Sequence, residues 1–125
     1  MSAGKVLVVD DEPEVRQVLH EFLVSRGYEV ALAANGSEAL DSLQALKPDL
    51  ILLDVAMPGM DGVETLKRIV AVDPSLPVIM VTANADIGVT SKLLALGAVD
   101  YVPKPFDLDY LDQAVSIQVT AAQDR

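Results

Sequence analysis

The chain has no cysteine, no tryptophan, a single histidine, and only nine lysines and arginines against nineteen acids in 125 residues. Without cysteine, neither a disulfide framework nor a thiolate zinc site can form, and a reducing compartment is the easier setting. A net charge of −10 suits nucleic acid poorly, since binding there rests on neutralising phosphates with Lys and Arg. No apolar run approaches the length of a membrane span, and the short polar start Met1–Lys5 is followed by too brief an apolar run for a signal peptide. These absences make a soluble cytoplasmic domain the expectation, with neither membrane nor direct nucleic-acid contact.

What is present is a chain 51% hydrophobic and 22% charged, enough to build a core without staples. Short apolar runs, Lys5–Val9, Glu29–Ala33, Leu50–Leu53, Val78–Val81 and Tyr101–Pro103, have the length and Val/Leu/Ile content of buried parallel strands. Helical stripes lie between and after them. Val15, Val18, Leu19, Phe22 and Leu23 form the first, stopped by Gly27. Ala39, Leu40, Leu43 and Leu46 form the second, closed before Pro48. Val63, Leu66, Ile69 and Val70 form the third, opened by a capping box of Asp61 and Glu64. Leu93, Leu94 and Leu96 mark the fourth, ended by Gly97, and Leu108, Leu111, Val115 and Val119 the fifth. Strand–helix alternation without linker or repeat predicts one doubly wound α/β domain over residues 1–125, with its core at about 5–120.

In such a sheet, function collects at the carboxyl ends of the strands. There the first run is followed by Asp10 and Asp11, the third by Asp54, the fourth by Thr82 and the fifth by Lys104. Carboxylates gathered on one rim repel each other unless a cation joins them. Hard oxygen donors without His or Cys favour Mg²⁺. An ionised Asp54 beside the metal can attack phosphorus, with Lys104 and the Thr82 hydroxyl holding the transferred oxygens. Taken singly, each residue also fits a duller role: Asp10-Asp11 a helix start, Asp54 a turn former, Thr82 a strand residue, Lys104 a solvated loop lysine. All of them falling together at strand ends favours the chemical reading.

The motifs VLVVDDEP, ILLDVAMPGMDG, VIMVTA and DYVPKPF, in this order and spacing, resemble the bacterial response-regulator receiver domain from Lys5 to about Thr120. That resemblance implies a flavodoxin-like (βα)5 sandwich with strand order 2-1-3-4-5. It implies Asp54 as phosphoacceptor, with Mg²⁺ held by Asp10, Asp11, Asp54 and the backbone carbonyl of Ala56. Asp11 would be the direct ligand of the acidic pair and Asp10 would act through water. Thr82 and Lys104 would bind phosphoryl oxygens, Tyr101 would be the aromatic switch, and the Lys104-Pro105 bond would be cis. The implied partners are a sensor histidine kinase or histidine phosphotransfer protein, and an output domain or partner protein met by the fourth helix, fifth strand and fifth helix. Homodimerisation on phosphorylation is a further implication, but no Lys or Arg lies between Pro105 and Arg125, which disfavours a charge-paired dimer. The implied activity is self-phosphorylation and slow autodephosphorylation rather than enzymatic turnover.

A haloacid-dehalogenase-like hydrolase is the rival from another class. Adjacent acids after the first run, in place of a DxD, and the lack of a cap insertion speak against it. A receiver that binds partners without phosphorylation is a third reading, weakened by the complete acceptor set. Ala56 departs from the amide or larger side chain frequent at its position, which bears on phosphoryl lifetime. Asn84 flanks the water approach from the other side. His20 reads as an ordinary surface residue, Met57 and Met60 as loop plugs beside Pro58-Gly59, and Gly59 and Gly62 as sources of backbone freedom. In the last helix a second stripe, Tyr110, Ala114, Ile117 and Ala121, either covers a neighbouring helix or docks a partner.

Overall fold

The computed structural model of the chain describes residues 3–57, 60–83 and 87–123. In chain order the elements are β1 (Lys5–Val9), α1 (Pro13–Ser25), β2 (Glu29–Ala33), α2 (Gly36–Leu46), β3 (Leu50–Asp54), α3 (Gly62–Val72), β4 (Val78–Thr82), α4 (Ile87–Ala95), β5 (Asp100–Pro103) and α5 (Leu108–Gln123). The strands pair in parallel in the order β2-β1-β3-β4-β5, a doubly wound sheet as the alternation predicts and in the order that the resemblance implies.

Side chains of successive strand residues point to opposite faces, and the core divides accordingly. Leu7, Val9, Ile51, Leu53, Val78 and Met80 meet Ala39 and Leu43 of α2, Leu66 and Ile69 of α3 and Leu93 of α4. Val6, Val8, Leu50, Leu52, Ile79, Val81 and Val102 meet Leu19 and Leu23 of α1 and Leu111, Val115 and Val119 of α5. β1, β3 and β4 are covered on both faces and must be apolar throughout, which is why they read as runs, whereas the edge strands β2 and β5, also expected to be buried, are only partly covered.

Helix ends follow from local chemistry. Gly27 takes φ 94°. Its N–H donates to the Val24 carbonyl and the Tyr28 N–H to that of Leu23. This left-handed turn closes α1 without a Cβ clash. Gly97 ends α4 with the same pair of bonds, to Leu94 and Leu93. Asp61 caps α3 by accepting from the Glu64 N–H at 2.8 Å. The Glu64 carboxylate accepts from Arg68 Nε at 3.1 Å, so the other half of the expected capping box runs along the helix instead.

Four residues predicted to be buried lie at the surface: Leu32 of the edge strand β2, and Val18, Leu94 and Leu108 of the helical stripes. Val18 sits on the trailing rim of an arc centred between Leu19 and Leu23. Leu94 is turned about 100° from the buried Leu93. Leu108 is the first residue of α5, ahead of the turns that lie on the sheet.

Candidate functional site

Strand order decides where the polar residues meet. The chain leaves β1 toward β2 and leaves β3 toward β4, so a crevice opens between the carboxyl ends of the adjacent strands β1 and β3. Asp10 follows β1, its N–H donating to the Ala33 carbonyl at 3.1 Å. Asp54 is the last residue of β3 and Thr82 the last of β4. Asp10, Asp54 and Thr82 are all buried, at 1%, 4% and 3% exposure.

Lys104 comes from beyond β5, and its N–H donates to the Thr82 carbonyl at 2.8 Å. Its Nζ lies 3.2 Å from Asp10 Oδ2 and 3.5 Å from Asp54 Oδ1. The Lys104-Pro105 bond is cis, as the resemblance implies. Asp11 is half-exposed beside Asp10, and Ala56 is exposed two residues beyond Asp54. Tyr101 is half-buried against the core that α2, α3 and α4 cover, with its N–H on Asp100 Oδ1 at 2.8 Å.

The Asp54 carboxyl is pushed up to about 6. Burial is the largest cause, and the neighbouring Asp10 carboxylate adds to it. The Lys104 ammonium and the Ala56 N–H pull the other way without cancelling them. For Lys104, burial works to lower its basicity, but Asp10, Asp54 and Glu12 together raise it, so it stays an ammonium. One cation between two nearly buried carboxylates leaves negative charge uncompensated.

Donor chemistry fits a hard divalent cation. Carboxylate oxygens of Asp10, Asp11 and Glu12 lie within 4.8 Å of one another, with no nitrogen or sulfur donor in the group. Asp10 and Asp11 stand together, Glu12 joins them, and the Asp54 carboxylate faces Lys104.

Two neighbours of the site were not legible as such. Glu12 reads as part of a helix start, yet its side chain reaches Lys104 at 3.7 Å. Arg16 donates from Nη1 to the Asp10 carbonyl at 2.6 Å and so steadies the acidic loop from the first turns of α1. Gly62 is essential for a different reason from the expected one. Its φ is not positive, but a Cβ there would overlap the Asp54 carbonyl oxygen and lie 2.6 Å from Val55 Cα. Gly59, Pro58 and Asn84 lie outside the described residues.

The family described as the response regulator receiver domain matches residues 6–116. The chain belongs to that family. Its relatives include sporulation initiation phosphotransferase F of Bacillus subtilis, 42% identical over 115 residues that cover 92% of this receiver domain and 93% of that protein. The DNA-binding transcriptional regulator NtrC of Escherichia coli is 44% identical over 109 residues, 87% of this chain but only 23% of that protein. The receiver domain of a Francisella response regulator superposes with a TM-score of 0.89 at 31% identity, over 94% of this chain and 98% of that one. Receiver domains of this family serve two-component signalling, meet histidine kinases and output domains, and use Mg²⁺ at their acidic pocket. Among the described residues no helix is long and apolar enough to cross a membrane.

Proposed function

We propose that this receiver accepts a phosphoryl group on Asp54 from the phosphohistidine of a kinase or phosphotransfer protein in the cytoplasm. The carrying observation is the pair of buried carboxylates, Asp10 and Asp54, sharing the Lys104 ammonium at 3.2 and 3.5 Å. Bound Mg²⁺ would supply the positive charge that keeps Asp54 ionised and offsets charge on the phosphoryl oxygens. Asp10, Asp11, Asp54 and the Ala56 carbonyl would hold it.

An Asp54 carboxylate oxygen forms the new P–O bond as the P–N bond breaks, and the electron pair of that bond remains on the imidazole nitrogen. No proton has to leave Asp54, because the attacking form is already ionised. Lys104 and the Thr82 hydroxyl, from the adjacent ends of β5 and β4, then hold phosphoryl oxygens. Thr82, drawn to the phosphate, makes room into which the Tyr101 ring turns, and the α4-β5-α5 surface changes for an output domain, partner protein or second copy.

The domain spans residues 1–125, with its core at about 5–120, and its only chemistry is its own phosphorylation and slow loss of the group. Incubation with acetyl phosphate and Mg²⁺ followed by intact-mass measurement tests the assignment. One added phosphoryl group, absent in Asp54→Asn, is expected. Equal labelling of that variant, or turnover of a phosphate ester, would overturn it.

A further inference from the structure

We propose that Glu12 is a positioning residue for phosphoryl transfer, engaging the third N–H donor of Lys104 until a phosphoryl oxygen displaces it. This rests on the reading of Asp54 as the acceptor. Glu12 stands at the N-cap of α1 in extended backbone, followed by Pro13 at the first helical turn. A polar side chain there ordinarily turns forward to take an N–H of the first turn. That of Glu12 makes no such bond. It turns to the loop after β5, where Oε1 lies 3.7 Å from Lys104 Nζ, while its own N–H donates to Asp10 Oδ1 at 2.9 Å. The segment from Asp10 to Glu12 thus curls round the ammonium.

An ammonium has three N–H donors. Those of Lys104 face three acids, Asp10 at 3.2 Å, Asp54 at 3.5 Å and Glu12 at 3.7 Å. An incoming phosphoryl oxygen therefore has to displace one of them. The Asp10 and Asp54 side chains are 2% and 5% exposed, and a buried carboxylate stripped of its cation is costly. Glu12, at 57% exposed, takes up water instead, so it is the partner released. A contact present before transfer and lost in the transition state slows the step. For a pair this exposed the slowing is on the order of two- to fivefold.

The test follows phosphorylation of the full chain by acetyl phosphate and Mg²⁺ with intact mass. Glu12→Gln should react about two- to fivefold faster than the parent. Glu14→Gln removes the same charge from an exposed position on the first turn of α1 and should give no such gain. The gain should vanish in a Lys104→Ala background, as it must if Glu12 acts through the lysine. In the unphosphorylated protein the ¹⁵N resonance of Lys104 Nζ should move in Glu12→Gln and stay in Glu14→Gln. That measurement decides the contact even where Lys104→Ala proves too slow to follow. Equal gains from both glutamines, a gain that survives loss of Lys104, or an unmoved Nζ resonance would each overturn the proposal. A parent that takes no label at all would instead sink the acceptor reading.

Discussion

Gly62 packs against the backbone of Asp54 so closely that a Cβ at position 62 would overlap the Asp54 carbonyl oxygen. The Gly62 N–H also donates to the Val55 carbonyl at 2.9 Å, which brings the start of α3 against the end of β3. The obstacle is main chain, which cannot swing aside as a side-chain tip can. Gly62→Ala should therefore destabilise the fold by about 2–3 kcal/mol. It should also slow labelling of Asp54 by displacing the loop that carries Ala56. A denaturant midpoint equal to the parent's would contradict this.

The elevated Asp54 carboxyl has a consequence for stability in the absence of divalent metal. Its ordinary value is 3.8, and in the fold it rises to about 6. Between these values the native state holds the proton more tightly than the unfolded chain does. Stability then falls as pH rises from about 4 to about 6 and levels off above, the loss from this group being at most about 3 kcal/mol. Denaturation with EDTA present should show this slope, and Asp54→Asn should remove that part of it. Added Mg²⁺ should stabilise the parent more at pH 7 than at pH 5, because protonated Asp54 no longer attracts the ion.

Ala56 is exposed and offers no polar side chain toward the water that would hydrolyse an aspartyl phosphate. Ala56→Asn should change the phosphoryl lifetime several-fold while leaving phosphorylation intact, because only the main chain of residue 56 is asked to meet metal. Decay of the labelled species followed by mass would settle it. Identical half-lives would mark the position as idle.

The second stripe of α5 divides in the structure. Ala114 is buried, whereas Tyr110 and Ile117 are 40% and 64% exposed. Tyr110 is also tied inward, its hydroxyl donating to Asp100 Oδ1 at 3.2 Å. Ile117 is therefore the freer apolar group. Ile117→Glu should alter the denaturant midpoint by no more than about 0.5 kcal/mol and leave Asp54 labelling unchanged. It should weaken self-association, or binding of an output domain, measured by sedimentation or titration. A variant that unfolds would place Ile117 in the core instead.

By itself, the sequence determined the alternation of elements, because strands buried on both faces must be continuous apolar runs. It also determined the residues at their carboxyl ends, because chemistry there requires particular side chains at particular spacings. Gly27 and Gly97 were legible as helix stops for a similar reason, since a left-handed turn depends on one residue's own backbone. Only the tertiary structure decided which acids Lys104 meets. Glu12 reads as a helix start from its neighbours, and its approach to Lys104 exists only because β1 and β5 end on the same rim. Gly62 likewise reads as a flexible loop residue, while its role is the lack of a side chain where two backbones meet. Val18, Leu94 and Leu108 carry the helical period but fall just outside the covered arc. Periodicity gives the direction of a face, whereas its width depends on how closely the helix packs against the sheet.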